Sequence, residues 1–142
     1  MTDQFHGGCL CGAVRFEVDE FLPQAAHCHC SMCRKFHGAA FATLASVEII
    51  NFRWLQGETS LRSYTAENGT VRTFCKNCGS SLMFASPGAL GNQIEIALGT
   101  IDDDVPVQPS AHIFLKSAPG WLTCTDDLPH YEAGRDSTLI KR

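Results

Sequence analysis

The stretch Cys28-His29-Cys30-Ser31-Met32-Cys33 places three cysteines close together, and the fold of this chain is best approached from it. Two further clusters, Cys9-Leu10-Cys11 and Cys75-Lys76-Asn77-Cys78, bring the clustered cysteines to seven of the 8 in the chain, and Cys124 stands alone. Cysteines grouped at such spacings are typical of metal ligands, whereas disulfide scaffolds are smaller and richer in cysteine. The sequence therefore predicts a chain organised around bound metal.

The spacing within each cluster suggests how the sulfurs are shared. In an extended chain, residues i and i+2 point to the same side, so a C-x-C pair can aim both sulfurs at one ion. The segment from Cys75 to Gly79 is typical of a zinc knuckle, a tight turn in which two thiolates chelate and the glycine tolerates a positive φ. Two such pairs complete a closed tetrahedral site of structural type, formed by Cys9, Cys11, Cys75 and Cys78. The triplet Cys28, Cys30 and Cys33 is then left to hold a second zinc with one open coordination position.

The cysteine triplet admits other interpretations. A closed Cys₃His site could use His27, His29 or His112, although His29 is expected to point away from the flanking sulfurs. The thiols could instead be oxidised, with Cys33 bridged to one of its two neighbours. Spacing alone also allows a triplet cysteine to exchange places with a member of either pair, or the clustered thiols to be buried by chance. Cys124 is predicted to be a small buried side chain rather than a ligand or nucleophile.

Length and composition restrict the class of protein. The chain has 142 residues, of which 44% are hydrophobic and 18% charged, enough for one packed core. Its 11 Lys+Arg against 15 Asp+Glu give a net charge of −4, which argues against a nucleic-acid partner because phosphate contacts favour a basic surface. The N-terminus lacks a secretory signal, and the most apolar segment, 38–47, is shorter than the roughly 20 residues that span a bilayer. We therefore expect a soluble, cytoplasmic chain with no membrane partner.

Short apolar runs with period-two alternation predict β-strands throughout the chain. Helical patterns are scarce: a helix over Ser31–His37 with Ser31 as its N-cap, and one turn near Ile101–Asp104. The prediction is one all-β domain over residues 1–142, a sandwich or folded antiparallel sheet that ends in a polar tail at 133–142. Glycine, proline and asparagine turn signals separate the runs, which fall at 14–18, 41–44, 47–50, 52–55, 71–74, 82–84, 94–98 and 112–115.

Three motifs carry a resemblance to a known family: Gly8-Cys-Leu-Cys-Gly-Ala-Val-Arg-Phe, His27-Cys-His-Cys-Ser-Met-Cys-Arg-Lys and Phe74-Cys-Lys-Asn-Cys-Gly-Ser. With Ser110–Trp121 and Asp127–Tyr131, they make the chain resemble the glutathione-dependent formaldehyde-activating enzyme family over about residues 5–131. The resemblance implies a single-domain, zinc-containing β-tent of antiparallel sheets with few short helical turns.

The resemblance also implies a division of labour between two zinc ions per chain. Cys9, Cys11, Cys75 and Cys78 match the ligands of the family's structural zinc, and Cys28, Cys30 and Cys33 match those of its catalytic zinc. The family's name-giving activity joins glutathione to formaldehyde as S-(hydroxymethyl)glutathione, or cleaves that carbon–sulfur bond. We therefore expect a zinc-dependent carbon–sulfur lyase that handles adducts of glutathione or another small thiol with an aldehyde such as formaldehyde.

The residues around the triplet bear on this chemistry. Three thiolates leave a zinc site with a formal charge of about −1, which suits exchange of a soft thiolate ligand better than generation of hydroxide. Arg34 and Lys35 follow the triplet and could bind a substrate carboxylate or offset its charge, although a solvated basic pair is the plainer interpretation. His29 and His112 are predicted to be structural, and Asp102–Asp104 to be a solvated turn.

A second class of function stays open from the sequence. The chain could be a non-catalytic, zinc-stabilised protein-interaction module. The Cys30→Ser variant would distinguish the two classes, because an enzyme would keep its fold and lose turnover, whereas a structural site would lose its fold.

Overall fold

The computed structural model describes residues 4–87 and 92–140, and in them strands far outnumber helical elements. One α-helix, α1 (Ser31–His37), is present in these ranges, together with short 3-10 turns at Ile49–Asn51, Glu58–Ser60, Leu98–Thr100 and Leu115–Ser117. The predicted all-β class with few short helical turns is confirmed. The strands are β1 (Phe5–Gly8), β2 (Arg15–Val18), β3 (Ala25–Cys28), β4 (Ala42–Glu48), β5 (Phe52–Gln56), β6 (Leu61–Thr65), β7 (Val71–Cys75), β8 (Ser81–Ala85), β9 (Gln93–Ala97) and β10 (Pro109–Ile113).

The chain forms two compact units, and the first contains the described residues up to Pro23 and within Ala45–Val107. Its strands pair antiparallel in the orders β1-β2-β5 and β9-β8-β7-β6. Period-two alternation in β2 turns Phe16 inward, where its ring packs against Phe52 at 5.3 Å and Trp54 at 6.0 Å between centroids. This unit therefore has a conventional apolar core.

The second unit contains Gln24–Leu44 and the described residues from Gln108 onward. Here β3 and β10 pair in parallel, with His112 opposite His27 and Ile113 opposite Cys28. This parallel pair departs from the antiparallel pairing that the sequence predicts throughout. Antiparallel neighbours are set by a short hairpin turn, whereas β3 and β10 lie some eighty residues apart in the chain, so no local turn fixes their direction.

The helix α1 has the bounds that the sequence predicts, but its N-cap is Cys30 rather than Ser31. The Cys30 sulfur accepts a hydrogen bond from the Cys33 N–H at 3.3 Å, which is the role a serine hydroxyl would otherwise fill. At seven residues, α1 is much too short to cross a bilayer, and none of the other helical elements in the described ranges is longer.

Two other predicted elements differ in the structure. Ile101–Asp104 is not helical, because Ile101 forms an isolated antiparallel bridge with Gly7, and the 3-10 turn lies earlier, at Leu98–Thr100. The apolar runs predicted at 41–44 and 47–50 form one continuous strand, β4, followed by a 3-10 turn.

The described part of the predicted polar tail is hydrogen-bonded within the second unit. The Ala133 carbonyl accepts from the Phe114 N–H at 3.0 Å, and the Ile140 N–H donates to the His130 carbonyl at 2.7 Å. Residues 141–142 of that tail lie outside the described residues, as do 1–3 and 88–91 of the predicted domain.

Candidate metal centres

Four cysteines of the first unit converge at one point. The sulfurs of Cys9, Cys11, Cys75 and Cys78 all lie within 4.8 Å of one another. Cys11 Sγ is 3.6 Å from Cys9 Sγ and 3.9 Å from Cys75 Sγ. The structure thus brings together the four residues that the sequence predicts as one site.

Two tight turns carry these four sulfurs. Cys9 and Cys11 lie in a turn after β1 that a hydrogen bond from the Gly12 N–H to the Cys9 carbonyl closes at 3.2 Å. The turn after β7 is closed by the Gly79 N–H and the Cys75 carbonyl at 2.8 Å. Gly12 and Gly79 have φ angles of 81° and 78°, where other side chains would be strained, so both turns depend on glycine.

The donor set in this cluster fits zinc. A tetrahedron with zinc–sulfur bonds near 2.3 Å places sulfurs about 3.8 Å apart, close to the 3.6 Å between Cys11 and Cys9 and the 3.9 Å between Cys11 and Cys75. The Val14 N–H donates to Cys9 Sγ at 3.2 Å. The Ser80 hydroxyl lies 3.2 Å from Cys78 Sγ, and its hydrogen bond lowers the pKa of Cys78 to about 5. Such bonds stabilise thiolates, the form in which cysteine binds metal.

The cysteine triplet lies in the second unit, where β3 ends and α1 begins. Cys28 is the last residue of β3, Cys30 is the N-cap of α1, and Cys33 is in the first turn of α1. Their three sulfurs lie within 4.8 Å of one another. Cys28 and Cys33 are buried, whereas Cys30 is partly exposed. One short stretch of chain therefore assembles the whole group.

The chemistry of the triplet also fits a cation. The neighbouring Cys30 thiol, followed by Cys33 and burial, raises the pKa of Cys28 above its ordinary value. Three sulfurs this close become thiolates together only with positive charge among them, and a soft ion such as Zn²⁺ supplies it. Within residues 4–87 and 92–140, no histidine nitrogen joins this group, which disfavours a closed Cys₃His site.

The histidines near the triplet have partners away from its sulfurs. His27 Nδ1 lies 2.8 Å from the Thr43 hydroxyl, and burial, followed by His112, lowers the pKa of His27. His29 Nε2 lies 2.8 Å from His112 Nδ1. His112 is 2% exposed, because the chain that pairs with it through backbone bonds to Pro129 and Tyr131 covers its outer side.

The two basic residues after the triplet differ in environment. Lys35 is exposed on α1. Arg34 is half-buried, and its Nε–H is buried without a hydrogen-bond acceptor among residues 4–87 and 92–140. Arg34 is thus the better placed of the two to bind an anion.

Sequence reasoning missed a cluster in which Cys124 and Asp126, from the segment after β10, lie against His112. Cys124 is half-buried rather than buried, with Sγ 3.9 Å from His112 Nδ1. Asp126 Oδ2 lies 2.8 Å from His112 Nε2, and this hydrogen bond lowers the pKa of Asp126. No local spacing signals the cluster, because pairing of distant segments brings its members together.

The predicted turn at Asp102–Asp104 is exposed as expected.

A strand-rich chain with two clusters of converging cysteines is typical of small proteins that can bind metal through cysteine. The model of the family "Glutathione-dependent formaldehyde-activating enzyme" matches residues 4–117. The chain belongs to that family.

Known relatives agree with this assignment. A protein of Halomonas elongata whose name places it in the same enzyme family is 31% identical over 123 residues, which cover 82% of this chain and 78% of the relative. A Schizosaccharomyces pombe protein named as an uncharacterized lyase is 28% identical over 82 residues, 58% of either chain. The crystal structure of a Rhodobacter sphaeroides protein superposes with a TM-score of 0.61 at 27% identity, covering 71% of this chain and 91% of that one.

Proposed function

We propose that this chain is a zinc-dependent carbon–sulfur lyase that makes or breaks the adduct of a small thiol such as glutathione with an aldehyde such as formaldehyde. The observation that carries the proposal is the convergence of the Cys28, Cys30 and Cys33 sulfurs with no fourth protein ligand among the described residues. Membership of the family and the name of the S. pombe relative support this class of reaction.

In this proposal the triplet holds the catalytic zinc and the four-cysteine cluster the structural zinc. Zinc held by three thiolates would supply a soft Lewis acid whose open position takes a thiol as its thiolate. The chain itself fixes the three sulfurs. Cys28 is held by the pairing of β3 with β10, Cys30 by its bond from the Cys33 N–H, and Cys33 by α1.

Arg34 is the residue we assign to a carboxylate of the thiol substrate. It directly follows Cys33, and a carboxylate would satisfy its buried Nε–H with a charge-assisted hydrogen bond. The exposed Lys35 would offset negative charge without a fixed contact.

The test follows exchange between glutathione plus formaldehyde and S-(hydroxymethyl)glutathione by NMR. Zinc-loaded protein should accelerate exchange above the rate in buffer. Cys30→Ser should reduce this acceleration at least about 100-fold, because removing a metal ligand lowers activity more than removing a residue that only hydrogen-bonds to a ligand. The variant should keep the native circular dichroism spectrum. Cys124→Ser is the matched control outside both clusters and should behave as the unsubstituted chain.

The alternatives give different results. Protein that carries two zinc ions per chain but leaves exchange at the buffer rate would rule out this activity. Unfolding of Cys30→Ser together with loss of zinc would favour the non-catalytic interaction module.

A further inference from the structure

Three side chains of the second unit, outside both cysteine clusters, meet after β10. His112, Asp126 and His130 each bring one potential ligand atom within 4.8 Å of the others. The chain returns alongside β10: the His112 N–H donates to the Pro129 carbonyl, and the Tyr131 N–H to the His112 carbonyl, both at 2.8 Å. This pairing places the His112 and His130 rings 4.8 Å apart.

Each of the two histidines uses its Nδ1 in a hydrogen bond. His130 Nδ1 donates to the Leu128 carbonyl at 2.5 Å, so its Nε2 carries a lone pair. That Nε2 is buried and meets no hydrogen-bond partner within the described residues, although leaving a buried polar atom unsatisfied is unfavourable. His112 Nδ1 is 2.8 Å from His29 Nε2, which leaves its Nε2 toward Asp126.

Asp126 supplies the negative charge of the group. Its Oδ1 accepts from the Leu128 N–H at 3.1 Å, and its Oδ2 lies 2.8 Å from His112 Nε2. The side chain is 47% exposed and, with Asp127 and His130, lines an open cavity of about 500 Å³. The group thus combines a buried nitrogen, an oriented carboxylate and a route from solvent.

We propose that His112, Asp126 and His130 form a binding site for a divalent first-row transition-metal ion, separate from the cysteine clusters. Its ligands are Nε2 of both histidines and a carboxylate oxygen of Asp126, with water in the positions that face the cavity. Histidines that bind metal usually donate their other ring N–H to a carbonyl, carboxylate or similar acceptor, as His130 does to Leu128. The ion takes the place of the proton between His112 Nε2 and Asp126. His112 then carries its one proton on Nδ1 and donates it to His29 Nε2, and His29 carries its own proton on Nδ1.

The donor set indicates which ions the site takes. Two imidazole nitrogens and one carboxylate suit Zn²⁺, Fe²⁺, Co²⁺ or Ni²⁺, whereas Mg²⁺ and Ca²⁺ prefer oxygen ligands alone. Thiolate clusters prefer soft ions, whereas imidazole ligands suit Ni²⁺. Nickel added to protein whose cysteine clusters already hold zinc therefore distinguishes this site from the clusters.

Equilibrium dialysis of the untagged, zinc-loaded full chain against Ni²⁺ tests the proposal, with nickel and zinc measured in the same sample. We expect one bound nickel per chain and no loss of zinc. Asp126→Asn and His130→Gln should each weaken nickel binding at least about 10-fold. Asp127→Asn removes a neighbouring carboxylate of the same cavity and should leave nickel binding unchanged. Because Asp126 is exposed, its variant should keep the native fold, which circular dichroism checks.

The outcomes separate this site from the proposed lyase site. Nickel binding that Asp126→Asn leaves unaltered would overturn the proposal, and so would nickel uptake matched by zinc release with thiolate–nickel charge-transfer absorption. Failure of the lyase proposal would instead appear as absent exchange activity in nickel-free protein.

Discussion

The two cysteine clusters differ in how much chain they close. The four-cysteine cluster joins turns that are 64 residues apart between Cys11 and Cys75, whereas the triplet lies within one short stretch from Cys28 to Cys33. The cysteines of the first cluster lie in two glycine-dependent turns, and those of the second at a strand end and a helix start. An ion bound to the first cluster would therefore link distant segments of the chain, whereas an ion bound to the second would bind within one short segment.

The entropy of loop closure in the unfolded chain gives an estimate of how much more the first cluster would stabilise the fold than the second. The entropy of closing a flexible loop grows as about (3/2)RT ln n, so a 64-residue link restricts the unfolded chain by about 2 kcal/mol more than a five-residue link does. The four-cysteine cluster also offers four thiols, the number that a structural zinc takes. We therefore expect the fold to depend on the first cluster and the activity on the second.

The largest expected effect comes from breaking the four-cysteine cluster. Cys75→Ser should leave the chain unfolded at 25 °C, because structural zinc contributes about 10–16 kcal/mol in small domains, as much as a whole domain's stability. Circular dichroism and thermal unfolding measure this, with Cys124→Ser as the matched control. Soluble Cys75→Ser protein with a native spectrum and a cooperative transition would contradict the structural assignment.

A chelator should remove zinc from the two clusters in two successive steps. During titration with EDTA, we expect one zinc ion per chain to leave first, with the exchange activity, while the circular dichroism spectrum stays native. Loss of the second ion should coincide with unfolding, because that ion holds distant segments together. A zinc indicator and a free-thiol count follow the two steps. Departure of both ions in one step with the fold would show that the clusters do not differ in this way.

The cysteine clusters could be predicted because chelation is encoded in short spacings. The alternation argument was nevertheless only partly right: Cys9 and Cys11 lie in a turn, not an extended strand, and Leu10 still points away, at 87% exposed. A two-residue spacing therefore brings the Cys9 and Cys11 sulfurs within 3.6 Å of each other in a turn as well as in a strand.

Pairings between distant segments could not be predicted in the same way. The strand β3 and the approach of Asp126 and His130 to His112 depend on β10 and the chain after it, and nothing in the local spacing encodes them. The strands β1 and β6 were also missed, because Phe5–Gly8 contains two glycines and Leu61–Thr65 is mostly exposed and polar. Local patterns thus predict what neighbouring residues build, and tertiary pairing supplies the rest.

A basic residue follows a cysteine in each cluster, and the comparison predicts that the two behave differently. Arg34→Ala should raise the KM for glutathione about 10-fold with little change in kcat, the loss expected for a charged hydrogen bond made equally in the ground and transition states. Lys76→Ala, the exposed counterpart after Cys75, should stay within about 2-fold of the unsubstituted chain, since exposed charges contribute little. Steady-state kinetics on both variants measures this. Equal effects at the two positions would remove Arg34 from the proposed substrate site.

The smallest expected effect concerns a partly buried carboxylate in the unit that holds the four-cysteine cluster. The Ser46 hydroxyl lies 2.9 and 2.8 Å from the two oxygens of Glu95, and burial raises the pKa of Glu95 above its ordinary 4.5. Between 4.5 and the raised pKa, the folded state keeps a proton that the unfolded chain has lost, so stability falls as the pH rises through this window and levels off above it.

Glu95→Gln removes this titration without changing the shape of the side chain. Urea unfolding of zinc-loaded protein between pH 4 and 8 should show the variant gaining stability relative to the unsubstituted chain as the pH rises through that window. The pH dependence of zinc binding affects both proteins alike and cancels in the difference. Glu58→Gln, an exposed carboxylate of the same unit, serves as the control and should show no such trend. Parallel stability profiles for Glu95→Gln and the unsubstituted chain would mean that burial does not hold a proton on Glu95.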